Sequence, residues 1–232
     1  MSREFIYTDH FVNSAASRII CTMERVLATR NYFCLSLCGA STPLPVYERV
    51  ARDGAHLPWA NVIITFGDER CVPPDHEQSN YRAAKLRLFD LVPIPEANIL
   101  RIKGEETPEF AASEYERQMD AAASKLQMQS FNHDLILLGI GDDGHTASLF
   151  PGTDALGVTN SRVVANFVPK LNAHRVTFTL PFINRAERIM FLVDDAKKRP
   201  IVEDILANRG DYPAARIKPQ TGNLTWMLGG FL

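Results

Sequence analysis

Short apolar runs alternate along the chain with longer stretches of helical periodicity. Residues 135–138 form an unbroken apolar run closed by glycines, a pattern typical of a strand buried on both faces. Similar runs and alternating patterns predict strands at 33–37, 62–66, 162–168, 175–180, 189–193 and 224–228. Apolar residues at helical spacing predict helices over 8–29, from Pro43, from Ser79, over 107–129 and through 201–206. Alternating strands and helices predict one α/β domain, spanning residues 1–232, with a mostly parallel sheet.

Composition narrows the class of protein. The chain has 232 residues, 46% of them hydrophobic, and a formal net charge of −2. No long run of one charge sign occurs, which argues against nucleic acid or an anionic membrane as the partner. No apolar stretch approaches the ~18 residues of a membrane-spanning helix. The first residues also lack the apolar core of a signal peptide, so a cytoplasmic location is expected.

Cysteine and histidine usage bears on redox and metal chemistry. Cys21, Cys34, Cys38 and Cys71 contain no Cys-x-x-Cys pair, and reduced, structural thiols are expected in a cytosolic protein. A zinc site would need a cluster of histidine or cysteine ligands, and the sequence shows none. We therefore expect no metal site.

The glycine-rich stretch after residues 135–138 carries the clearest candidate chemistry. Three glycines between 139 and 144 let the backbone turn sharply and approach a ligand closely. Asp142, Asp143 and His145 lie on the same turn, where ligands bind in open α/β sheets. Histidine at such a place suits general acid–base catalysis. The alternative is a turn whose aspartates cap backbone amides and whose histidine is merely exposed.

Two earlier strand ends carry polar residues that could serve an anionic ligand. The first, Gly39-Ala40-Ser41-Thr42-Pro43, offers small and hydroxyl residues before a helix, and helix N-termini bind phosphate. A simple N-cap by Thr42 would explain the same pattern. The second, Asp68-Glu69-Arg70, would bring a planar guanidinium to phosphate or carboxylate, unless it is only a solvated loop. Three later cations could close the same crevice: Lys170, Arg175 and Lys198.

Several segments, in order along most of the chain, carry a family resemblance. They are Gly39–Pro43, Asp68–Pro73 with Ser79-Asn80, Leu138–Gly152, Pro169-Lys170 and Arg175–Thr177. On these segments the chain resembles the 6-phosphogluconolactonase family, within the wider group that includes glucosamine-6-phosphate isomerase/deaminase. The resemblance implies a single three-layer α/β/α domain with an open, mostly parallel, modified Rossmann-like sheet. It also implies cofactor-free hydrolysis of 6-phospho-D-glucono-1,5-lactone to 6-phosphogluconate by a monomer or weak homo-oligomer.

The resemblance also implies roles for particular residues. His145 is expected to be the general base, and Asp143 to orient its ring. Arg70 is expected to bind the substrate or stabilise the oxyanion, and Asp68 to be a further catalytic residue. The expected substrate and phosphate contacts are Gly39, Ala40, Ser41, Thr42, Asn80, Lys170, Arg175 and Lys198. Ala40 stands where the family often has a second glycine. Asp195-Ala196-Lys197-Lys198 departs from a common Gly-x-x-Lys, which weakens the assignment of Lys198 to phosphate.

Two other functions fit parts of the same pattern. An aldose–ketose isomerase or deaminase of the wider group would carry tyrosine at the position of Arg70 and glutamate at that of Phe150. An apolar phenylalanine cannot relay the proton needed for ring opening. A regulator that binds sugar phosphate without turnover would also keep the pocket. Acid release from fresh lactone, and an assay with glucosamine 6-phosphate, would separate the three.

Overall fold

A six-stranded parallel sheet forms the centre of the fold. The structure is a computed structural model that describes residues 2–220 and 222–230. The strands of this sheet are β1 (Ser2–Thr8), β2 (Phe33–Leu37), β3 (Val62–Phe66), β5 (Leu135–Leu138), β8 (Arg188–Asp194) and β9 (Asn223–Gly229). Their order is β1-β9-β8-β5-β2-β3, and all five pairings are parallel. This confirms the predicted α/β class with its mostly parallel sheet.

A second, smaller sheet was not expected. Its strands are β4 (Asp68–Arg70), β6 (Val163–Val168) and β7 (Ala173–Phe178), in the antiparallel order β4-β7-β6. The charged stretch predicted as a loop is therefore a short strand, because it pairs with β7. The alternation seen in the sequence near β6 and β7 reflects this half-buried sheet, not the parallel one.

Helices surround the parallel sheet. They are α1 (Phe11–Leu27), α2 (Pro43–Asp53), α3 (Asn80–Arg87), α4 (Pro108–Lys125), α5 (Leu180–Ile183) and α6 (Arg199–Leu206). The first starts later than the predicted residue 8, with His10 at its N-cap position, because Thr8 still belongs to β1. The fourth ends at Lys125, short of the predicted 129, and Gln127 just beyond it has a left-handed backbone with φ of 56°.

The apolar side chains of these elements form one cluster that extends from Phe11 to Leu228. All four cysteines are free thiols, as expected. Cys34 and Cys38 are buried, and burial raises the pKa of both thiols, that of Cys38 to about 12. None of the helices in the described ranges is both long and apolar enough to cross a membrane.

Candidate active site

A cavity of about 250 Å³ opens where β2 and β5 end. This is the edge at which ligands bind in open α/β sheets. Eight of the residues expected from the sequence line it: Gly39, Ala40, Asp68, Arg70, Asn80, His145, Lys170 and Arg175. Ser41, Thr42, Asp143 and Lys198 are not part of its lining. The cavity thus brings together residues from four separate stretches of the chain, 39–40, 68–80, 145 and 170–175.

His145 is held by Asp143 on the wall of this cavity. The Nδ1 atom lies 2.5 Å from Asp143 Oδ1, and Lys170 Nζ donates to Asp143 Oδ2 at 2.8 Å. Burial raises the pKa of the Asp143 carboxyl, but its hydrogen bonds with Lys170 and His145 outweigh burial and hold that pKa well below its usual range. An ionised Asp143 fixes the imidazole proton on Nδ1. Nε2 is left as the basic nitrogen, with no hydrogen-bond partner in the described part of the chain.

The ring of His145 is also fixed on its faces. The ring of Phe150 stacks on it, with centroids 3.9 Å apart and planes 20° apart. Gly141 leaves the space that the imidazole fills, because a Cβ there would lie 2.1 Å from His145 Nδ1. Phe150 was noted in the sequence only as the residue that replaces a glutamate. Its role as a stacking partner depends on tertiary packing and carries no sequence signal.

Two arginines face each other across the short sheet. Arg70 on β4 pairs in register with Arg175 on β7, and both line the cavity. The Arg70 guanidinium donates to the carbonyl of Gln78, and Arg175 Nη1 donates to the carbonyl of His174 at 2.9 Å. Burial, together with the charge of Arg70, lowers the pKa of Arg175. No carboxylate of the described residues lies within ion-pairing distance of either arginine, so the pair is suited to an external anion.

Asp68 is buried beside the same cavity. Its side chain accepts a hydrogen bond from Ser148 Oγ at 2.6 Å, and its backbone carbonyl accepts one from Asn80 Nδ2 at 2.9 Å. Gly39 packs directly on Asn80, since a Cβ at that position would lie 2.0 Å from Asn80 Oδ1. Asn80 therefore ties the first glycine loop to β4.

Glu69 positions these residues, although the sequence analysis gave it no role. It is 2% exposed, and its carboxylate accepts hydrogen bonds at 2.8 Å from the amides of Arg70, Asn80 and Tyr81. Burial raises the pKa of this carboxyl, and the backbone hydrogen bonds oppose that effect. The side chain clamps β4 to the start of α3. The sequence offered one signal for this role, the predicted helix start at Ser79, because the first backbone amides of a helix need a hydrogen-bond acceptor.

The loop of residues 39–42 presents amides without acceptors. Its four backbone N–H groups donate to no acceptor in the described ranges, and they lie at the N-terminus of α2. Thr42 occupies the N-cap position but its side chain makes no capping hydrogen bond, contrary to the capping alternative. Unpaired amides at a helix N-terminus attract anions.

Lys198 lies outside the cavity lining and is engaged elsewhere. Its ammonium group forms an ion pair with Asp142. Lys170 does line the cavity, and it is also bound to Asp143. Both lysines therefore contact carboxylates of the glycine turn. The substrate contacts expected of them stay predictions.

Replacing Ala40 with glycine is expected to stabilise the protein. Ala40 has φ of 75°, a left-handed conformation that costs an L-residue about 1 kcal/mol and costs glycine little. We expect Ala40→Gly to raise the free energy of unfolding by about 0.5–1 kcal/mol in urea titrations. The matched control, Ala121→Gly on the exposed side of α4, should lower it by about 1 kcal/mol. A loss of stability in both variants would contradict the strain at Ala40.

The fold and its cavity first define a class of protein, an open α/β-sheet protein with a ligand cavity at the carboxyl ends of its strands. Comparison with known proteins narrows this class. The family model described as glucosamine-6-phosphate isomerases/6-phosphogluconolactonase matches residues 7–226. The chain belongs to this family, which confirms the resemblance seen in the sequence.

Individual relatives agree with the family model. The chain is 42% identical over 220 residues to a 6-phosphogluconolactonase of Synechocystis sp., covering 90% of this chain and 88% of that one. It is 36% identical over 199 residues to a 6-phosphogluconolactonase of Haemophilus influenzae, covering 84% and 83%. The crystal structure of a 6-phosphogluconolactonase from Thermotoga maritima matches with a TM-score of 0.87 and 29% identity. That match covers 98% of this chain and all of the other.

Proposed function

We propose that this protein hydrolyses 6-phospho-D-glucono-1,5-lactone to 6-phosphogluconate, a step of the pentose phosphate pathway. Its full-length relatives that carry the name 6-phosphogluconolactonase support this activity. The observation that carries the chemistry is the His145–Asp143 pair, because His145 lines the same cavity as two arginines that have no carboxylate partner among the described residues. No redox step is needed, and the described residues hold no cluster of histidine, cysteine or carboxylate that could bind a metal.

The proposed mechanism starts with His145 as general base. Nε2 takes a proton from a water molecule whose oxygen attacks the lactone carbonyl carbon. The resulting tetrahedral oxyanion collapses, the bond from that carbon to the ring oxygen breaks, and the imidazolium returns its proton to the ring oxygen. Ionised Asp143 stabilises the imidazolium between these steps and keeps the correct tautomer. Lys170 and Phe150 hold Asp143 and the ring in place.

The phosphate end of the substrate is assigned to the other side of the cavity. We place it on the unpaired amides of residues 39–42, with Arg70 and Arg175 supplying positive charge beside it. Backbone amides at a helix N-terminus donate directed hydrogen bonds to an anion, and each guanidinium group donates a pair of parallel hydrogen bonds. This placement leaves the lactone carbonyl for His145. A phosphate or sulfate bound beyond hydrogen-bonding distance of residues 39–42 would contradict it.

Isomerisation or deamination of an amino-sugar phosphate is less well supported. Phe150 is 7% exposed and stacks on His145, so the position where that chemistry places a glutamate holds an apolar ring. We expect no turnover of glucosamine 6-phosphate. With fresh lactone, acid release above the spontaneous rate would distinguish an enzyme from a sugar-phosphate-binding regulator.

Replacing Arg70 with lysine tests the anion site. Lysine keeps the charge but loses the planar pair of donors. We expect kcat/KM for the lactone to fall about 10–100-fold, mainly through KM, since a hydrogen bond to a charged group contributes about 1.5–3 kcal/mol. The matched control, Arg52→Lys, changes an exposed arginine on α2 that pairs with Asp53. Unchanged constants in Arg70→Lys would show that Arg70 does not bind substrate.

We further propose that the protein acts in the cytoplasm on a small-molecule substrate, without nucleic acid or membrane. The predicted monomeric or weakly oligomeric state stays a prediction, which size-exclusion chromatography with light scattering would test.

A further inference from the structure

A second groove lies beside α1, on the face of the parallel sheet. Its volume is about 450 Å³, larger than the active-site cavity of about 250 Å³. One wall is the polar side of α1, which presents Ser14, Ser17, Arg18, Cys21 and Arg25 at helical spacing. The opposite side comes from the sheet and includes Arg188, the first residue of β8. We call this feature the arginine groove, after Arg18, Arg25 and Arg188.

The arginine groove carries a concentrated positive charge. Of its fourteen lining residues, three are arginine and none is aspartate or glutamate. Arg18 pairs with Glu4, whereas Arg25 and Arg188 have no carboxylate within ion-pairing distance among the residues described. The chain as a whole has a net charge of −2, so this local excess of arginine does not follow from composition.

The floor of the groove combines apolar and hydroxyl groups. Met190 and Met227 are 3% and 1% exposed, and they give it an apolar base. Thr225, 6% exposed, also lines the groove, and its hydroxyl lies 3.4 Å from Glu4 Oε2. A concave apolar base with a few convergent polar groups is typical of small-molecule sites, whose volumes are about 300–1,000 Å³.

We propose that the arginine groove binds a small organic phosphate. Guanidinium groups match phosphate oxygens in paired geometry, and the hydroxyls of α1 can complete the contacts. The groove begins at the first residues of β5, β8 and β9, whereas the active site lies at the carboxyl end of β5. A ligand of the groove therefore does not compete with the lactone. This site is independent of the proposed lactonase activity.

Two cysteines allow each site to be observed separately. Cys21 is exposed and lines the groove, while Cys71 is half-buried and feels the charge of Arg175 near the active site. Alkylation by iodoacetamide, followed by peptide mass spectrometry, measures both rates in one sample. Inorganic pyrophosphate is the first probe. At about ten times its half-saturating concentration, it should slow alkylation of Cys21 at least about 5-fold.

Two further probes, ADP and glucose 6-phosphate, distinguish a nucleotide from a sugar phosphate as the ligand of the groove. Stronger protection of Cys21 by ADP would indicate a nucleotide, and stronger protection by glucose 6-phosphate would indicate a sugar phosphate. Either result supports the proposal. Sodium chloride at matched ionic strength should give no saturable protection, and equal protection by that salt would overturn it.

Matched variants complete the test. Arg25→Gln combined with Arg188→Gln should abolish protection of Cys21 while leaving lactonase activity and the response of Cys71 unchanged. Arg25→Gln alone should weaken protection, which keeps the test valid if the double variant does not fold. Arg52→Gln, on α2, is the control and should retain full protection. Failure of all three phosphate probes to protect Cys21, or equal protection in the groove variants, would overturn the proposal without bearing on the lactonase.

Discussion

Replacing His145 with alanine is expected to lower kcat for the lactone by about 10²–10⁴-fold, the usual cost of losing one proton-transfer group. The loss should fall on kcat more than on binding of 6-phosphogluconate, because the phosphate contacts come from other elements. The measurement is acid release from fresh lactone after subtraction of the spontaneous rate, together with calorimetric titration of 6-phosphogluconate.

Two further variants, one at the partner of His145 and one at an exposed histidine, test the same assignment. Asp143→Asn should also lower kcat, since a neutral amide no longer stabilises the imidazolium or enforces the tautomer with the proton on Nδ1. His56→Ala should have no effect, because His56 is exposed, does not line the cavity and pairs through its side chain with Glu24. Near-normal kcat in a folded His145→Ala variant would return the glycine turn to a structural role and move the base to Asp68, which lines the same cavity.

The second large effect concerns stability in acid. His133 is 1% exposed; its Nε2 lies 2.8 Å from Thr65 Oγ1, and its Nδ1 has no hydrogen-bond partner among the described residues. Burial, with a smaller effect from the Arg185 charge, lowers the pKa of His133 to about 3. In the unfolded chain this pKa is about 6.5, so below that pH the unfolded state binds a proton that the folded state does not.

The direction of the pH dependence of stability follows from this difference in the pKa of His133. The stabilisation is fully present above about pH 6.5 and is lost as pH falls toward the folded-state pKa. From about pH 7 to about pH 5, His133 should account for a loss of about 2 kcal/mol in the free energy of unfolding. His133→Gln, which can still meet the Thr65 hydroxyl, should lose correspondingly less over the same range, whereas His56→Gln should behave as the parent. Equal pH slopes for His133→Gln and the parent would contradict a neutral, buried imidazole.

Most of the parallel sheet could be predicted because its strands are locally encoded. Phe33–Leu37, Val62–Phe66 and Leu135–Leu138 are short apolar runs, and their bounds match the prediction. The first strand could not be found in this way. Ser2–Thr8 becomes a strand by pairing with β9, a partner near the other end of the chain. The three charged residues of β4 likewise gain strand structure from β7 and from the amides that satisfy Glu69.

The candidate site likewise combines features that the sequence predicts with features that depend on tertiary structure. His145, Asp143 and Arg70 could be predicted to converge, because they follow strands whose carboxyl ends lie at one edge of a parallel sheet. The facing of Arg70 and Arg175 depends on the register of two antiparallel strands, which no local pattern specifies. The partners of Lys170 and Lys198 depend on where the glycine turn lies in space. Long flexible side chains carry no sequence signal for such contacts.

Because β1 pairs with β9, the parallel sheet can be completed only after β9 has been synthesised. Glu4 and Thr225 lie side by side although they are 221 residues apart in the chain. During synthesis β1 therefore stays without this neighbour until β9 has emerged from the ribosome. Until then β8 also has one open edge, and an open parallel edge is a template for wrong pairing. Until β9 is synthesised, β1 and β8 thus both present edges that are open to wrong pairing.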